Sequence, residues 1–442
     1  MTLQGSFEEI FEEEFLLDIF RERVAISGAT GIDNLTQRQF WPIQEEQVEI
    51  ISRKVLGGSY TFTKYKLKLV SKGAGKAPRE ISIPTIRDRI TLRALCELLT
   101  AHLEDIVKFE LPQDVVRRVK RVHFSGDYDA FVKLDIANFY PSVSHRVFRK
   151  KLRKLIAEPH IRDLVYKAIS TPTVARSRET DTWNDIGIPQ GLAISNILAA
   201  VYLLGIDSKY SKREDIEFFR YVDDILIFVK NEEAVSVSQE VISSFKGLQL
   251  TVHDPIEMPE KSKIGTLTDE FDYLGYAFHA GKVSVKKGSI EKLRESLVSI
   301  FTGYKYSKYK SEAFLEWRLN LRITGCIFDR KCRGWMFFFS EINDEPLLHS
   351  LDRHVRSLCK RFGVRIKPKK FSRSFYEVNH RRYSTNYVPD FDRYSDSEKR
   401  FVLSYYFGKN VSSLTDDEVD FEFRKRIDRQ VKDLLQDVQD LS

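Results

Sequence analysis

The stretch Phe218–Lys230, FFRYVDDILIFVK, constrains this chain more than any other. Apolar, aromatic and β-branched runs flank the adjacent acids Asp223 and Asp224, a pattern that predicts two strands meeting at a tight turn. Carboxylates beside apolar strands are costly unless something balances their charge. The pair therefore predicts a hairpin tip with a cationic partner.

A third acid has a similar setting. Asp135 ends the strand-like DAFVKLDIANFY, which Pro141 closes, and it lies 88 residues before Asp223. A helical stretch runs on to about Ile169, followed by a polar loop over 170–186. GIPQGLAISNILAAVYLLGIDSKY then predicts a helix opening just after Pro189. Beyond the hairpin, VSVSQEVISSFKGLQL has helical spacing and FDYLGYAFHAGKVSV reads as a further hairpin. The order strand, helix, strand, strand, helix, hairpin is that of a split βαβ, ferredoxin-like unit. Its sheet would bring Asp135 to Asp223 and Asp224. Three carboxylates together need cations, and an oxygen-only site suits two Mg²⁺ ions, or Mn²⁺. Such a pair can activate an attacking hydroxyl and stabilise a leaving pyrophosphate.

Charge along the chain is uneven. The net charge is +7, yet Met1 to Phe20 carries six acids and no Lys or Arg, on an amphipathic helical pattern. Arg353 to Tyr383 carries eleven basic residues against one acid, Glu377, interleaved with aromatics. That composition suits a polyanion such as structured RNA, and the candidate contacts are Arg365, Lys367, Lys369, Lys370 and Arg373. The four cysteines show no metal-ligand spacing and predict free thiols in a reducing, cytoplasmic setting. The longest apolar run, ILAAVYLLGI, is too short to span a membrane, and the acidic start shows no signal pattern. YTFTKYKLKLVSKGAGKAPREISIP alternates around a glycine-rich reversal, a hairpin signature.

These motifs, in this order, resemble those of reverse transcriptases. RYVDDILIF is similar to the catalytic hairpin and KLDIANFYPSV to the first aspartate motif. GIPQGLAISNILAAVYL is similar to the substrate-side Pro-Gln-Gly segment, MPEKSKIGTL to the lysine motif and FDYLGYAF to the primer grip. SGATGIDNLTQRQF resembles the opening of the fingers in group II intron-type enzymes.

The resemblance implies an α+β right-hand polymerase: an acidic N-terminal helix and fingers with a β-hairpin over 1–130, and a ferredoxin-like palm with inserted helices over 131–285. A helical thumb over 286–352 and a basic C-terminal extension over 353–442 complete it. It makes Asp135, Asp223 and Asp224 catalytic, with the carbonyl of Ile136 as a further metal ligand. Lys72 and Arg79 would hold the incoming triphosphate, with Lys76 a rival for Lys72. Tyr140 would close against the sugar 2′ carbon and Gln190 would contact the nucleotide. Small residues at Gly191, Ala193 and Ser195 would admit the template–primer pair. Lys261 and Lys263 both fit a general acid protonating pyrophosphate, and Tyr273, Leu274 and Gly275 would form the primer grip.

Nothing resembles an RNase H cluster or a zinc-bearing endonuclease, and the spacing of ITG from the hairpin disfavours a retron enzyme. Residues 318–352 resemble defence-associated reverse transcriptases of the unknown groups, nearest the first subunit of a two-polymerase antiphage system. This implies a dedicated noncoding RNA as template, dNTPs as substrates, DNA as product and a second reverse transcriptase as partner. Template-independent or protein-primed synthesis, and an inactive RNA-binding scaffold, are the competing expectations. The aromatic block Trp335 to Phe339 is expected to pack a core, base stacking being the alternative. The charged C-terminal helix would dock a partner or cap the fold.

Overall fold

The computed structural model describes residues 3–71 and 77–438. The chain divides into two compact units, Met1–Phe109 with Ala130–Ile264, and Glu110–Asp129 with Gly265–Ser442.

In the first unit the acidic start forms two helices, Leu3–Ile10 and Glu13–Ile19, rather than one. Phe7, Phe11, Leu16 and Phe20 are buried while Glu8, Glu9, Glu13 and Glu14 face water, so the amphipathic reading holds across the break. Strands β1 (Tyr65–Val70) and β2 (Arg79–Ile83) pair antiparallel, Val70 opposite Arg79. The polar loop contributes a short strand that sequence reading missed, β4 (Thr173–Val174), parallel to β1.

Asp88 ties the segments flanking this hairpin to the helix Ile86–His102. Its carboxylate accepts from Tyr60 Oη (2.9 Å), Thr63 N (3.1 Å) and Thr85 Oγ1 (2.7 Å), and it is 1% exposed. Burial outweighs these bonds and pushes its pKa up from 3.8 to about 6. The folded state holds this proton more tightly than the unfolded chain. Its stabilising contribution is therefore complete below 3.8 and lost as pH rises through about 6. Asp88→Asn should flatten the pH dependence of stability in that window, by about 1–3 kcal/mol. Thermal unfolding of both proteins across pH 4–7 checks this, and parallel profiles would reject it.

Four further strands form the palm sheet: β3 (Ala130–Asp135), β5 (Glu217–Tyr221), β6 (Asp224–Val229) and β7 (Lys263–Thr266). Their spatial order is β5-β6-β3-β7, the split βαβ arrangement expected. β6 carries a continuous apolar run (Ile225 to Val229) and β3 one broken only by Lys133 (Phe131, Val132, Leu134), as strands buried on both faces require. The helices Ser195–Tyr210 and Ala234–Lys246 are the two crossovers. The last palm strand differs from expectation. It is Lys263–Thr266, within the lysine motif, and the chain passes from the first unit to the second inside it. The expected final hairpin is instead a separate sheet of the second unit, β8 (Phe271–Tyr273), β9 (Tyr276–His279) and β10 (Lys282–Val285).

The rest of the second unit is mainly helical, with one short hairpin, β11 (Cys326–Phe328) and β12 (Lys331–Arg333). Trp335, Met336, Phe337 and Phe339 are buried, so the aromatic block packs a core. The C-terminal helix Asp416–Leu435 buries Val419, Phe423, Ile427, Val431 and Leu434 and caps the fold. Among the described residues no helix is long and apolar enough to cross a membrane.

Candidate active site

The β5–β6 hairpin turns on Val222 and Asp223, with Tyr221 paired to Asp224. Val222 takes φ 55, a conformation that costs a β-branched residue about 1–3 kcal/mol. Arg220 holds it there. The guanidinium forks onto Asp207, with Nε to Oδ1 at 2.6 Å, and its Nη1 donates to the Val222 carbonyl at 2.8 Å. Neither Arg220 nor Asp207 stands out in sequence, because the residues are 13 apart on a strand and a helix.

Asp224 is also the cross-strand partner of Asp135 on β3. Cross-strand partners project from the same face of a sheet, so these two carboxylates are neighbours, with Asp223 adjacent at the turn. Asp135 is held from its other side. Its backbone N donates to the buried Ser262 Oγ (3.1 Å), and its carbonyl accepts from His253 N (3.0 Å). The His253 ring places Nε2 3.5 Å from Asp135 Oδ2. Sequence reading missed His253 and Ser262, whose segments reach Asp135 only through tertiary pairing such as the Ile136–Val252 bridge.

Asp135, Ile136 and Asp223 line one open cleft of about 840 Å³. Arg79, Tyr140, Gln190, His253 and Lys261 line it too. Lys263 is not among the lining residues; its ammonium stands 5.7 Å from the centre of the Phe131 ring. The structure thus brings Lys261 to the cleft and not Lys263. Lys72 and its rival Lys76 lie outside the described residues.

Burial, reinforced by the negative charge of Asp223, pushes the Tyr140 phenol up to about 12. It stays protonated and donates to Asn196 Oδ1 at 2.8 Å. The Tyr140 backbone is stitched to the Pro-Gln-Gly segment: Ile188 N donates to the Tyr140 carbonyl and Gly187 N to that of Val143, both at 2.8 Å.

That segment is not the helix start expected from sequence. It is a bent loop, and the helix begins only at Ser195, because Gly187 (φ 89) and Gly191 (φ 100) are both left-handed. The Gln190 backbone carbonyl also accepts from Ser82 N of the fingers hairpin at 2.7 Å. A Cβ on Gly191 would stand 2.9 Å from Ile81 Cγ2 and 3.1 Å from the Ser82 carbonyl. The glycine therefore admits strand β2. Ser195 is buried and donates to the Pro189 carbonyl at 2.7 Å, while Ala193 is exposed.

The donor set fits a hard divalent cation. Asp135, Asp223, Asp224 and the Ile136 carbonyl offer only oxygen. Among the described residues, however, no three or more His, Cys, Asp or Glu side chains close into one metal-holding set. Mg²⁺ sites commonly complete their shell with water and substrate phosphates, so two or three adjacent carboxylates suffice.

Residues 70–278 match the protein-family model described as reverse transcriptase (RNA-dependent DNA polymerase). The segment holding this cleft is a reverse transcriptase domain, and the enzyme class it defines is RNA-directed DNA polymerase. Among curated proteins, the chain is similar to Protein YkfC of Escherichia coli (strain K12), 22% identical over 326 residues, covering 62% of this chain and 83% of YkfC. It is also similar to the Putative COX1/OXI3 intron 1 protein of Saccharomyces cerevisiae (strain ATCC 204508 / S288c). That match is 23% identical over 168 residues, 36% of this chain and 19% of the yeast protein. Among solved structures, apo telomerase from Candida tropicalis aligns over 86% of this chain and 65% of its own, at 13% identity and a TM-score of 0.45. A truncated form covers 51% and 55%, at 13% identity and a TM-score of 0.40.

In the second unit, Tyr273, Leu274 and Gly275 make the β8–β9 turn. Leu274 (φ 47) and Gly275 (φ 80) give it the two left-handed positions of a tight hairpin. The basic segment behaves unevenly. The Lys369 ammonium donates to the Tyr387 carbonyl (2.5 Å) and lies 4.9 Å from that ring's centre, and burial lowers its pKa. Arg373 pairs with the buried Glu377 at 2.5 Å. Lys367, Lys369 and Lys370 line a basic cleft of about 540 Å³ with Arg353 and Arg356, which sit three apart on the helix Glu345–Phe362. Its acid, Asp352, is occupied by Phe371 N (2.6 Å) and Ser372 Oγ (2.7 Å). Arg365 is exposed and outside this cleft.

Proposed function

We propose that the chain copies an RNA template into DNA by two-metal nucleotidyl transfer. The observation that carries this reading is the cross-strand pairing of Asp135 with Asp224, with Asp135 and Asp223 in the cleft that also holds Arg79, Tyr140 and Gln190. Asp135, Asp223, Asp224 and the Ile136 carbonyl would hold the ions, which supply charge neutralisation and an activated 3′ hydroxyl when bound. Arg79, together with Lys72, grips the triphosphate; an Arg fork suits its oxygens. Gln190 orients the nucleotide, and Lys261 delivers a proton to the departing pyrophosphate. Tyr273, Leu274 and Gly275 serve as primer grip.

The Tyr140 ring excludes a 2′ hydroxyl and so selects deoxynucleotides. Tyr140→Ala should raise ribonucleotide incorporation relative to dNTP by about 10–100-fold, since steric exclusion of one group in a pocket is worth about 1–3 kcal/mol. Competition between rATP and dATP in primer extension measures it, and unchanged selectivity would remove Tyr140 from this role.

The resemblance of residues 318–352 favours a dedicated noncoding RNA template in antiphage defence, in the manner of the type 3 two-polymerase systems, with a second reverse transcriptase as partner. Lys367 and Lys370, with Arg353 and Arg356, hold that RNA through its backbone, with Arg365, Lys369 and Arg373 around them. Four free thiols suit a reducing cytoplasm. Sequencing the RNA that copurifies with the chain, and the DNA made from it, tests this reading. One RNA species with complementary DNA is expected, its recovery reduced in a variant reversing charge at Lys367 and Lys370. DNA without a complementary template would point to untemplated synthesis.

A further inference from the structure

The helix Lys287–Tyr306 ends in the segment YKYSKYKS, 304–311, before the helix Glu312–Thr324 begins. It holds three tyrosines, three lysines and no acid. Tyr306 is 77% exposed and Tyr309 81%, the most exposed large hydrophobic side chains among the described residues. The segment is ordered by its own bonds. Ser307 Oγ donates to the Tyr309 carbonyl (2.9 Å), and Ser307 N to that of Tyr304 (3.3 Å). The Lys305 ammonium lies 5.7 Å from the Tyr306 ring centre and that of Lys308 5.9 Å from the Tyr309 ring centre.

Two rings held in water with a cation beside each have a specific complement. A ring face offers area for stacking to any planar base, and the adjacent ammonium meets the phosphate that joins that base to the next. In a duplex the bases are already stacked on one another, so their faces are closed to such rings. We propose that Tyr306 and Tyr309, with Lys305 and Lys308, form a stacking site for single-stranded nucleic acid. The proposal rests on the chain handling nucleic acid as a polymerase, and it adds a binding site outside the cleft. Aromatic and basic side chains also suit an anionic membrane surface. The segment offers only two rings on a turn and no broad apolar helical face, which favours the polynucleotide.

The test uses the full chain with EDTA and no nucleotides, so that binding is read apart from synthesis. Labelled 20-mers of oligo(dT) and oligo(U), and a 20-base-pair duplex, are titrated by anisotropy. Tyr306→Ala with Tyr309→Ala should weaken single-strand binding by roughly 30-fold and leave duplex binding unchanged, while Tyr306→Phe with Tyr309→Phe should bind like the parent. Lys305→Gln with Lys308→Gln should make the salt dependence shallower by about 1.4 in log–log slope. Comparing the two oligomers tells whether the site holds RNA, DNA or both. An oligomer carrying 5-iodouracil should photocrosslink to the peptide holding Tyr306 and Tyr309. Equal binding by the alanine variant, no crosslink there, or tyrosine-dependent binding only to vesicles of 70% phosphatidylcholine and 30% phosphatidylglycerol would each overturn the proposal. Primer extension is assayed separately, so failure of the stacking site leaves the catalytic reading standing, and the reverse also holds.

Discussion

Replacing Asp223 and Asp224 together with alanine should lower nucleotide incorporation by at least about a thousandfold. A metal ion that stabilises developing charge contributes several kcal/mol to the barrier, and each 1.36 kcal/mol is a factor of ten. The substitution removes two of the three carboxylates, leaving Asp135 and the Ile136 carbonyl. The fold should survive, because Asp223 occupies the turn and Asp224 the first position of β6, while the apolar run Ile225–Val229 keeps its pairing with β3. Primer extension with Mg²⁺ on an RNA template, with circular dichroism as the folding control, reads both quantities. EDTA should silence the parent chain to the same degree. Synthesis retained by the double variant would refute the metal assignment, and a silent parent chain would favour the scaffold reading.

The largest stability effect is expected far from that cleft in sequence. Arg322, 3% exposed, donates to Asp437 Oδ2 (2.5 Å), Asp433 Oδ2 (2.8 Å) and the Asp433 carbonyl (2.9 Å). It is the clasp between the helix Glu312–Thr324 and the C-terminal helix. Burial raises the Asp437 carboxyl, and Arg322 is the chief charge opposing that rise. Arg322→Ala leaves a buried carboxylate without its cation and should cost about 3–5 kcal/mol. Adding Asp437→Leu to Arg322→Met should recover much of the loss, since removing both charges also removes the desolvation penalty. The deficit of the alanine variant should shrink as pH falls, because a protonated Asp437 needs no partner. Urea unfolding of the three proteins measures this, and a loss below about 1 kcal/mol would show the pair to be dispensable.

The two halves of the candidate site were legible to different degrees. The strands bearing Asp135 and Asp223–Asp224 announce themselves by apolar runs and a tight turn, which are short-range signals. The final palm strand did not: Lys263–Thr266 is four residues with mixed burial, weaker as a pattern than the hairpin that follows it. The Pro-Gln-Gly segment has apolar spacing that continues a helix, whereas two left-handed glycines bend it against β2. Likewise the basic stretch 353–383 was legible as charge. Which cations are already engaged depends on folding: Lys369 is held by Tyr387, 18 residues on, and Arg373 by Glu377 one helical turn on.

Sequence alone determined the acidic hairpin, the strand ending in Asp135 and the expectation that the three carboxylates gather, because apolar runs and turn chemistry act over a few residues. Only the tertiary structure decided that His253 and Ser262 hold Asp135, that Arg220 and Asp207 brace a left-handed valine, and that Lys261 rather than Lys263 meets the cleft. Those contacts join segments whose approach follows from packing of the whole unit, and no local pattern encodes it.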